Sequence, residues 1–190
     1  MYQIQVVTPP ESEPVTLNEL KAHLRLNDDS EDALLTGFIK AAREFFESYT
    51  GRIVLPTTLR QHVYYLTGPV YLMRGNVTSI EDFYYYDQND NLTELTEYHE
   101  DAISLPASVW LDSYPTTSPN KTPNAYVTFV AGWADTNAVP EMVKVGIKLL
   151  AAHYYEQRNS HSPEDLKTVP MGFKAICDQF KTGLVGDWGQ

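Results

Sequence analysis

Residues Val15 to Arg52 read VTLNELKAHLRLNDDSEDALLTGFIKAAREFFESYTGR, and this stretch decides the architecture. Thr16 and Glu19 form a Thr-x-x-Glu capping-box pair, so two orphan backbone donors are satisfied where a first helix starts. That helix is expected to run to about Leu26, with Leu17, Leu20 and Leu24 on one face. Asn27, Asp28, Asp29 and Ser30 interrupt it. Any of the last three is suited to cap the next helix, whose N-terminal end favours negative charge. Leu34, Leu35, Phe38, Ile39, Ala42, Phe45, Phe46 and Tyr49 then recur at the spacing of a buried helical face. Thr36, Lys40, Arg43 and Glu47 mark the wet side, and Gly51 stands where a left-handed C-terminal cap is expected. The segment is architectural and carries start and stop signals but no catalytic group.

Downstream of Arg52 the period changes to two. Thr57 to Leu66, Val70 to Leu72, Val77 to Ile80, Phe83 to Tyr86, Leu92 to Leu95, Ile103 to Leu105, Val109 to Leu111 and Ala125 to Val130 read as strands. Asp87 to Asn91 is a hairpin turn. Pro115 to Pro123 reads as a mobile loop. Helical spacing resumes at Pro140, a natural first-turn proline. Met142, Val143, Gly146, Ile147, Leu149, Leu150 and Tyr154 cover most of that helix, leaving a narrow polar stripe at Glu141, Lys144 and Lys148. A helix so apolar is buried on several sides. A short helix over about Gly172 to Phe180 and a Gly-containing tail complete the chain. These readings give an α+β fold. N- and C-terminal helices pack as a bundle, with a mostly antiparallel β-subdomain inserted between them. The expected divisions are 1–52 (extended lead-in and helix pair), 53–133 (β-rich insertion) and 134–190 (long helix, short helix and tail).

Several segments resemble the head–tail connector proteins of long-tailed bacteriophages, also called adaptor or head-completion proteins. The matching residues of the opening are Val15-Thr16-Leu17, Glu19 and Lys21, His23-Leu24-Arg25, the acidic Asp29, Glu31 and Asp32, and Tyr49-Thr50-Gly51-Arg52. Asn18 and Leu20 depart from that family's pattern. Val127 to Trp133 resembles its last strand, Val139-Pro140-Glu141 its next helix start, His153 to Arg158 a motif on that helix, and Pro170 to Ile176 its terminal segment. The resemblance implies a structural virion protein at the neck, assembled in the bacterial host cytoplasm. It implies a ring of about a dozen copies of the chain, stacked below the portal protein. The ring would extend the DNA channel and meet a tail-side connector or stopper protein. Viral DNA would pass through without specific binding. Leu184, Val185 and Trp188 in the tail are candidate portal or subunit contacts, because they are apolar yet lie beyond the last convincing helix.

Composition agrees with a non-binding channel wall. The chain of 190 residues has 14 Lys and Arg against 25 Asp and Glu, a formal net charge of −11. A sequence-independent grip on nucleic acid needs the opposite sign. Hydrophobic content of 43% fits a globular chain, and no run approaches the ~18 apolar residues of a membrane span. The start, Met1 to Val7, lacks the basic and apolar regions of a secretory signal. With that reading, the sequons at Asn76 and Asn91 are chance turn residues.

Candidate chemistry is sparse, and neither enzyme activity, metal nor cofactor is expected. Asp28, Asp29, Glu31 and Asp32 read as helix-capping charge rather than a cation site. Asp87, Asn89 and Asn91 imitate a calcium loop, but Leu92 replaces its glycine and Tyr98 its bidentate Glu. His23, His62, His99, His153 and His161 show no metal spacing, and His153 reads as a hydrogen-bonded core residue. Cys177 is alone, which excludes an internal disulfide, and it reads as a small buried apolar residue. Tyr64-Tyr65 and Tyr84-Tyr85-Tyr86 put rings on both faces of their strands, one set toward the core and one toward a surface. A surface of that kind leaves open a carbohydrate- or ligand-binding β-module, and the viral resemblance leaves open a neighbouring tail-completion or stopper protein.

Overall fold

The structure, a computed structural model, describes residues 3–157 and 170–184. It is α+β, with four helices and two antiparallel sheets among the described residues. The chain divides into two compact units, Met1–Pro10 with Pro56–Gly132, and Glu11–Leu55 with Trp133–Gln190.

The second unit is the helical bundle. Helix α1 spans Leu17–Leu24 and α2 spans Asp32–Thr50; α3 spans Glu141–Glu156 and α4 spans Met171–Phe180. The capping box is formed as expected. The Thr16 amide donates to Glu19 Oε2 at 2.7 Å, and the Glu19 amide donates to Thr16 Oγ1 at 3.2 Å. Helix α1 ends earlier than expected, because Arg25 adopts a left-handed conformation (φ 59°) and the Leu26 amide turns back to Lys21 O. Leu20, Leu35, Ile39, Phe46, Val143, Ile147, Leu150, Phe173 and Cys177 fill one apolar core. Burying each large side chain contributes roughly 1.5–3 kcal/mol. Gly146 lets α4 approach α3 closely: a Cβ there would stand 3.3 Å from Ile176 Cγ2.

Arg43 departs from the wet face assigned to it. It is 4% exposed. Its Nε donates to Glu13 Oε2 at 2.7 Å and its Nη1 to Glu47 Oε2 at 2.9 Å. Glu47 Oε1 in turn accepts from the Val54 amide at 2.9 Å. One buried guanidinium thus ties the lead-in, the middle of α2 and the strand-ward exit of the helix together. The face pattern failed here because a cation with two carboxylates beside it behaves as a core residue.

The first unit is built on a five-stranded sheet of order β1-β2-β8-β4-β5. Its strands are β1 (Gln3–Thr8), β2 (Thr57–Val63), β4 (Val77–Tyr86), β5 (Leu92–Glu94) and β8 (Ala125–Ala131). A smaller sheet of order β3-β7-β6 joins Val70–Tyr71, Ser108–Trp110 and His99–Asp101. Leu59, Val63, Phe83, Val127 and Phe129 alternate inward to form its core. Three elements differ from expectation. Residues 3–8, grouped with the helix pair as an extended lead-in, pair with β2 and belong to the sheet unit. The two strands expected over 77–86 are one, bent by irregularities after Val77 and Ile80. The strand expected at Ile103 to Leu105 lies instead at His99–Asp101. Ile103 sits in the following turn, where Asp101 Oδ1 accepts from the Ile103 and Ser104 amides.

Candidate functional site

The Tyr49-Thr50-Gly51-Arg52 motif does more than stop α2. Gly51 takes φ 76° and closes the helix with a bond to Glu47 O at 3.0 Å. That geometry leaves the Thr50 carbonyl free to accept from both the Thr182 amide (2.8 Å) and Thr182 Oγ1 (3.0 Å). Arg52 Nε donates to Phe180 O at 2.8 Å, placing a cation on the carbonyl end of α4. Tyr49 Oη donates to Asp178 Oδ1 at 2.9 Å. The motif therefore grips the last turn of α4 and fixes the direction in which the chain leaves it. Sequence reading took these residues as a stop signal and missed the clasp. The signal available was an arginine directly after the capping glycine, since a helix end needs donors for its orphan carbonyls.

Leu184 follows this clasp. It is half-buried, and its amide donates to Thr182 Oγ1 at 3.2 Å. Val185 and Trp188, the other two tail candidates, lie outside the described residues.

The tyrosines do not divide as expected. None of Tyr64, Tyr84, Tyr85 and Tyr86 is fully buried, and Tyr65 is 72% exposed. Phe83 takes the core position instead. On the outer sheet face Tyr84 stacks on Tyr126 at 5.4 Å, and the Arg60 guanidinium lies 4.3 Å over the Tyr126 ring. The Tyr84 phenol is pushed up by the Glu94 carboxylate beside it, and burial next to Arg60 pushes the His62 imidazole down. Val63, Tyr64, Tyr65 and the 67–71 turn line an open concavity of ≈ 610 Å³. Other exposed apolar side chains are Val6 and Val7 on β1, Tyr71, Leu92 on β5, Ile103, Leu105 and Trp110, and on the helices Met142, Val145, Met171 and Leu34, the last expected on the buried face of α2.

The acidic turn is engaged with the protein itself, and not as a side-chain cap. Glu31 occupies the N-cap of α2 without a side-chain cap bond. Asp28 Oδ1 accepts from the Ser30 amide at 2.7 Å. Asp29 and Asp32 both hold the Lys21 ammonium, which is 8% exposed and whose pKa their hydrogen bonds raise. Asp87 closes its turn by accepting from the Asn89 and Asn91 amides, and those bonds hold its carboxyl below the usual range. The Pro115 to Pro123 segment, expected to be mobile, is pinned. Ser118 donates from Oγ to Asp90 and from its amide to Tyr86 O, and Asn124 Nδ2 donates to Thr117 Oγ1.

Cys177 is fully buried, and desolvation pushes its thiol up to about 12. His153 is half-buried beside Tyr154 rather than within the core. His161 lies outside the described residues. Among the described residues no three His, Cys, Asp or Glu side chains converge on a common point for a metal ion.

Residues 14–105 match the family model described as Phage gp6-like head-tail connector protein, so the resemblance carried by the opening motifs is borne out over that stretch. No curated protein matches the sequence. Three solved chains share the fold over their whole length. One is from the neck of an empty GTA particle computed with C6 symmetry; it is 21% identical, with a TM-score of 0.79. A second is from the virion of a native gene transfer agent particle, 21% identical with a TM-score of 0.78. A third is from the neck of a native GTA particle computed with C12 symmetry, 22% identical with a TM-score of 0.74. Each alignment covers 99% of this chain and 98% of the other. At these identities the likeness speaks for the fold.

Proposed function

We propose that this chain, which carries the head–tail connector pattern over residues 14–105, is a structural protein of a virion neck. It acts as an adaptor that forms a ring with copies of itself below a portal, extends the DNA channel and receives the tail side. The observation that carries this reading is the coincidence of two independent likenesses. The family pattern falls on the helix pair and the first part of the sheet, and the fold of the entire chain is shared with subunits of phage-like necks. The acidic balance fits a wall that DNA slides past, since unneutralised phosphates are repelled by it.

In this role the chain makes and breaks no covalent bond. The Tyr49–Arg52 clasp sets the exit of the tail, and Leu184, Val185 and Trp188 supply an apolar anchor to the portal. Electron microscopy of the purified protein mixed with its portal tests the reading. A second annular layer is expected, and Trp188→Ala is expected to weaken it. Portal rings that stay bare at saturating protein overturn the adaptor role. A Trp188→Ala variant that decorates normally removes only the tail anchor.

A further inference from the structure

A ring places two different surfaces of each subunit against its two neighbours, and those surfaces must face opposite ways. The two edges of a single sheet meet that demand by construction. In the five-stranded sheet they are β1 and β5, separated by four strand spacings, roughly 19 Å.

The β1 edge is lightly guarded: apart from an irregularity between Val6 and Thr8, it carries none of the usual blocking residues. Its six residues, Gln-Ile-Gln-Val-Val-Thr, hold no charge and no proline, and all but Ile4 are exposed. Val6 and Val7 are 56% and 44% exposed. An open strand edge normally carries a lysine, a proline or a covering element, because unpaired amides and carbonyls recruit another strand. The small sheet shows such guarding. Its β6 edge carries Glu100 and Asp101, and its β3 edge is two residues long. At the far side of the large sheet, β5 is short and has one apolar residue in three, Leu92, which is 47% exposed beside Thr93 and Glu94. Both edges of one sheet thus present an aliphatic side chain next to open backbone. Only Glu94 brings a charge to the pair, and β1 offers no like charge to oppose it.

Resting on the ring reading above, we propose that neighbouring subunits join by sheet extension, the β1 edge of one copy pairing with the β5 edge of the next. Gln5, paired with Arg60, and Leu92, paired with Tyr86, lie on the same outer face of the sheet and then flank the seam from its two sides. Backbone hydrogen bonds set the register, and Leu92 packing over the Gln5 methylenes shields the seam. The contact is heterologous, so it propagates from copy to copy until the ring closes.

Cysteine pairs test this in full-length protein assembled with its portal. Cys177 is buried with its pKa pushed up to about 12, so it does not interfere. Gln5→Cys with Leu92→Cys, two exposed positions on one face of the sheet, treated with a mild oxidant or a short bismaleimide, is expected to give a covalent ladder extending beyond the dimer. Either single variant is expected to stay uncross-linked. Val6→Lys, which guards the edge without touching the core, is expected to lower ring assembly about tenfold at fixed concentration. Rings that form normally but give no ladder, or rings from the Gln5→Cys single variant that yield covalent dimers, overturn the seam while leaving the adaptor role intact. Wild-type protein that forms no ring on the portal overturns the adaptor role, and the seam with it.

Discussion

Replacing Arg43 with Met tests whether the helical unit is organised around a buried cation. The guanidinium is 5% exposed and sits between Glu13, 23% exposed, and Glu47, 14% exposed. Removing one partner from such a cluster leaves buried carboxylates uncompensated, a loss of about 3–5 kcal/mol. Glu13 retains some water, which places the expectation near the lower end, about 3 kcal/mol. For a chain of this size that lowers the melting temperature by roughly 6–12 °C. The pH dependence follows from Glu47. Burial raises its pKa above 4.5, and Arg43 pulls the other way. A carboxyl whose folded pKa exceeds its unfolded one takes up a proton on folding. Its own contribution is therefore most favourable below 4.5 and declines as pH rises through the folded value. Without Arg43 the opposing pull is gone and that window widens upward. The penalty of Arg43→Met should be full at neutral pH and shrink as pH falls toward 4.5. Urea unfolding followed by helical circular dichroism at a series of pH values measures it. The triple variant Arg43→Met, Glu13→Gln, Glu47→Gln should recover much of the loss, because it removes the stranded charges along with their partner. A neutral-pH penalty under about 1 kcal/mol, or one that grows on acidification, refutes the reasoning.

Three further outcomes are expected. Arg52→Met removes the donor to Phe180 O and should cost about 1–2 kcal/mol; amide exchange should rise at Thr182 and Leu184, and unchanged protection there would count against the clasp. Gly146→Val forces methyl groups toward Ile176 and Phe173, which already stand 3.3 and 3.5 Å from a Cβ. It should destabilise by about 1–3 kcal/mol, and equal urea midpoints for variant and wild type would show that α4 yields freely. Cys177 should resist iodoacetamide in the native protein at mildly alkaline pH and react once unfolded; stoichiometric labelling of folded protein, read by mass spectrometry, would contradict its burial.

The parts legible in the sequence were those governed by local rules. The capping box at Thr16 and Glu19, the left-handed stop at Gly51, the helix start at Pro140 (which serves as N-cap rather than first-turn residue) and the burial of Cys177 each follow from a few adjacent residues. The acidic turn was read correctly as structural but for the wrong bonds, because nothing local reveals that Lys21 swings inward to meet Asp29 and Asp32. The same limit hid Arg43 and Arg52. A periodic pattern assigns a charged residue to solvent, and only tertiary placement shows a carboxylate or an orphan carbonyl waiting for it. Strand β1 was missed for a related reason. Six residues before a proline-rich segment look like a lead-in, and their partner, β2, begins some fifty residues later. The tyrosines misled because two consecutive rings cannot both face inward, and here Phe83 outcompeted them as the only ring without a hydroxyl to satisfy.

The helical core closes on itself. Val15, Leu20, Phe46, Ile147, Phe173 and Cys177 are buried within one chain, so folding of that unit does not require a neighbour. Assembly is then left to short edges and isolated side chains, Val6, Val7 and Leu92 among them. Each such contact is weak alone, because three residues of β5 offer only a few backbone bonds. A closed ring changes the balance. The last subunit makes two contacts while losing the rotational and translational freedom of one molecule, and a portal that already displays a ring of sites raises the effective concentration of each arrival. On this reasoning free protein should sediment as a monomer and assemble only on the portal. A stable ring of isolated protein at micromolar concentration would show that the seam is far stronger than its strand edges allow.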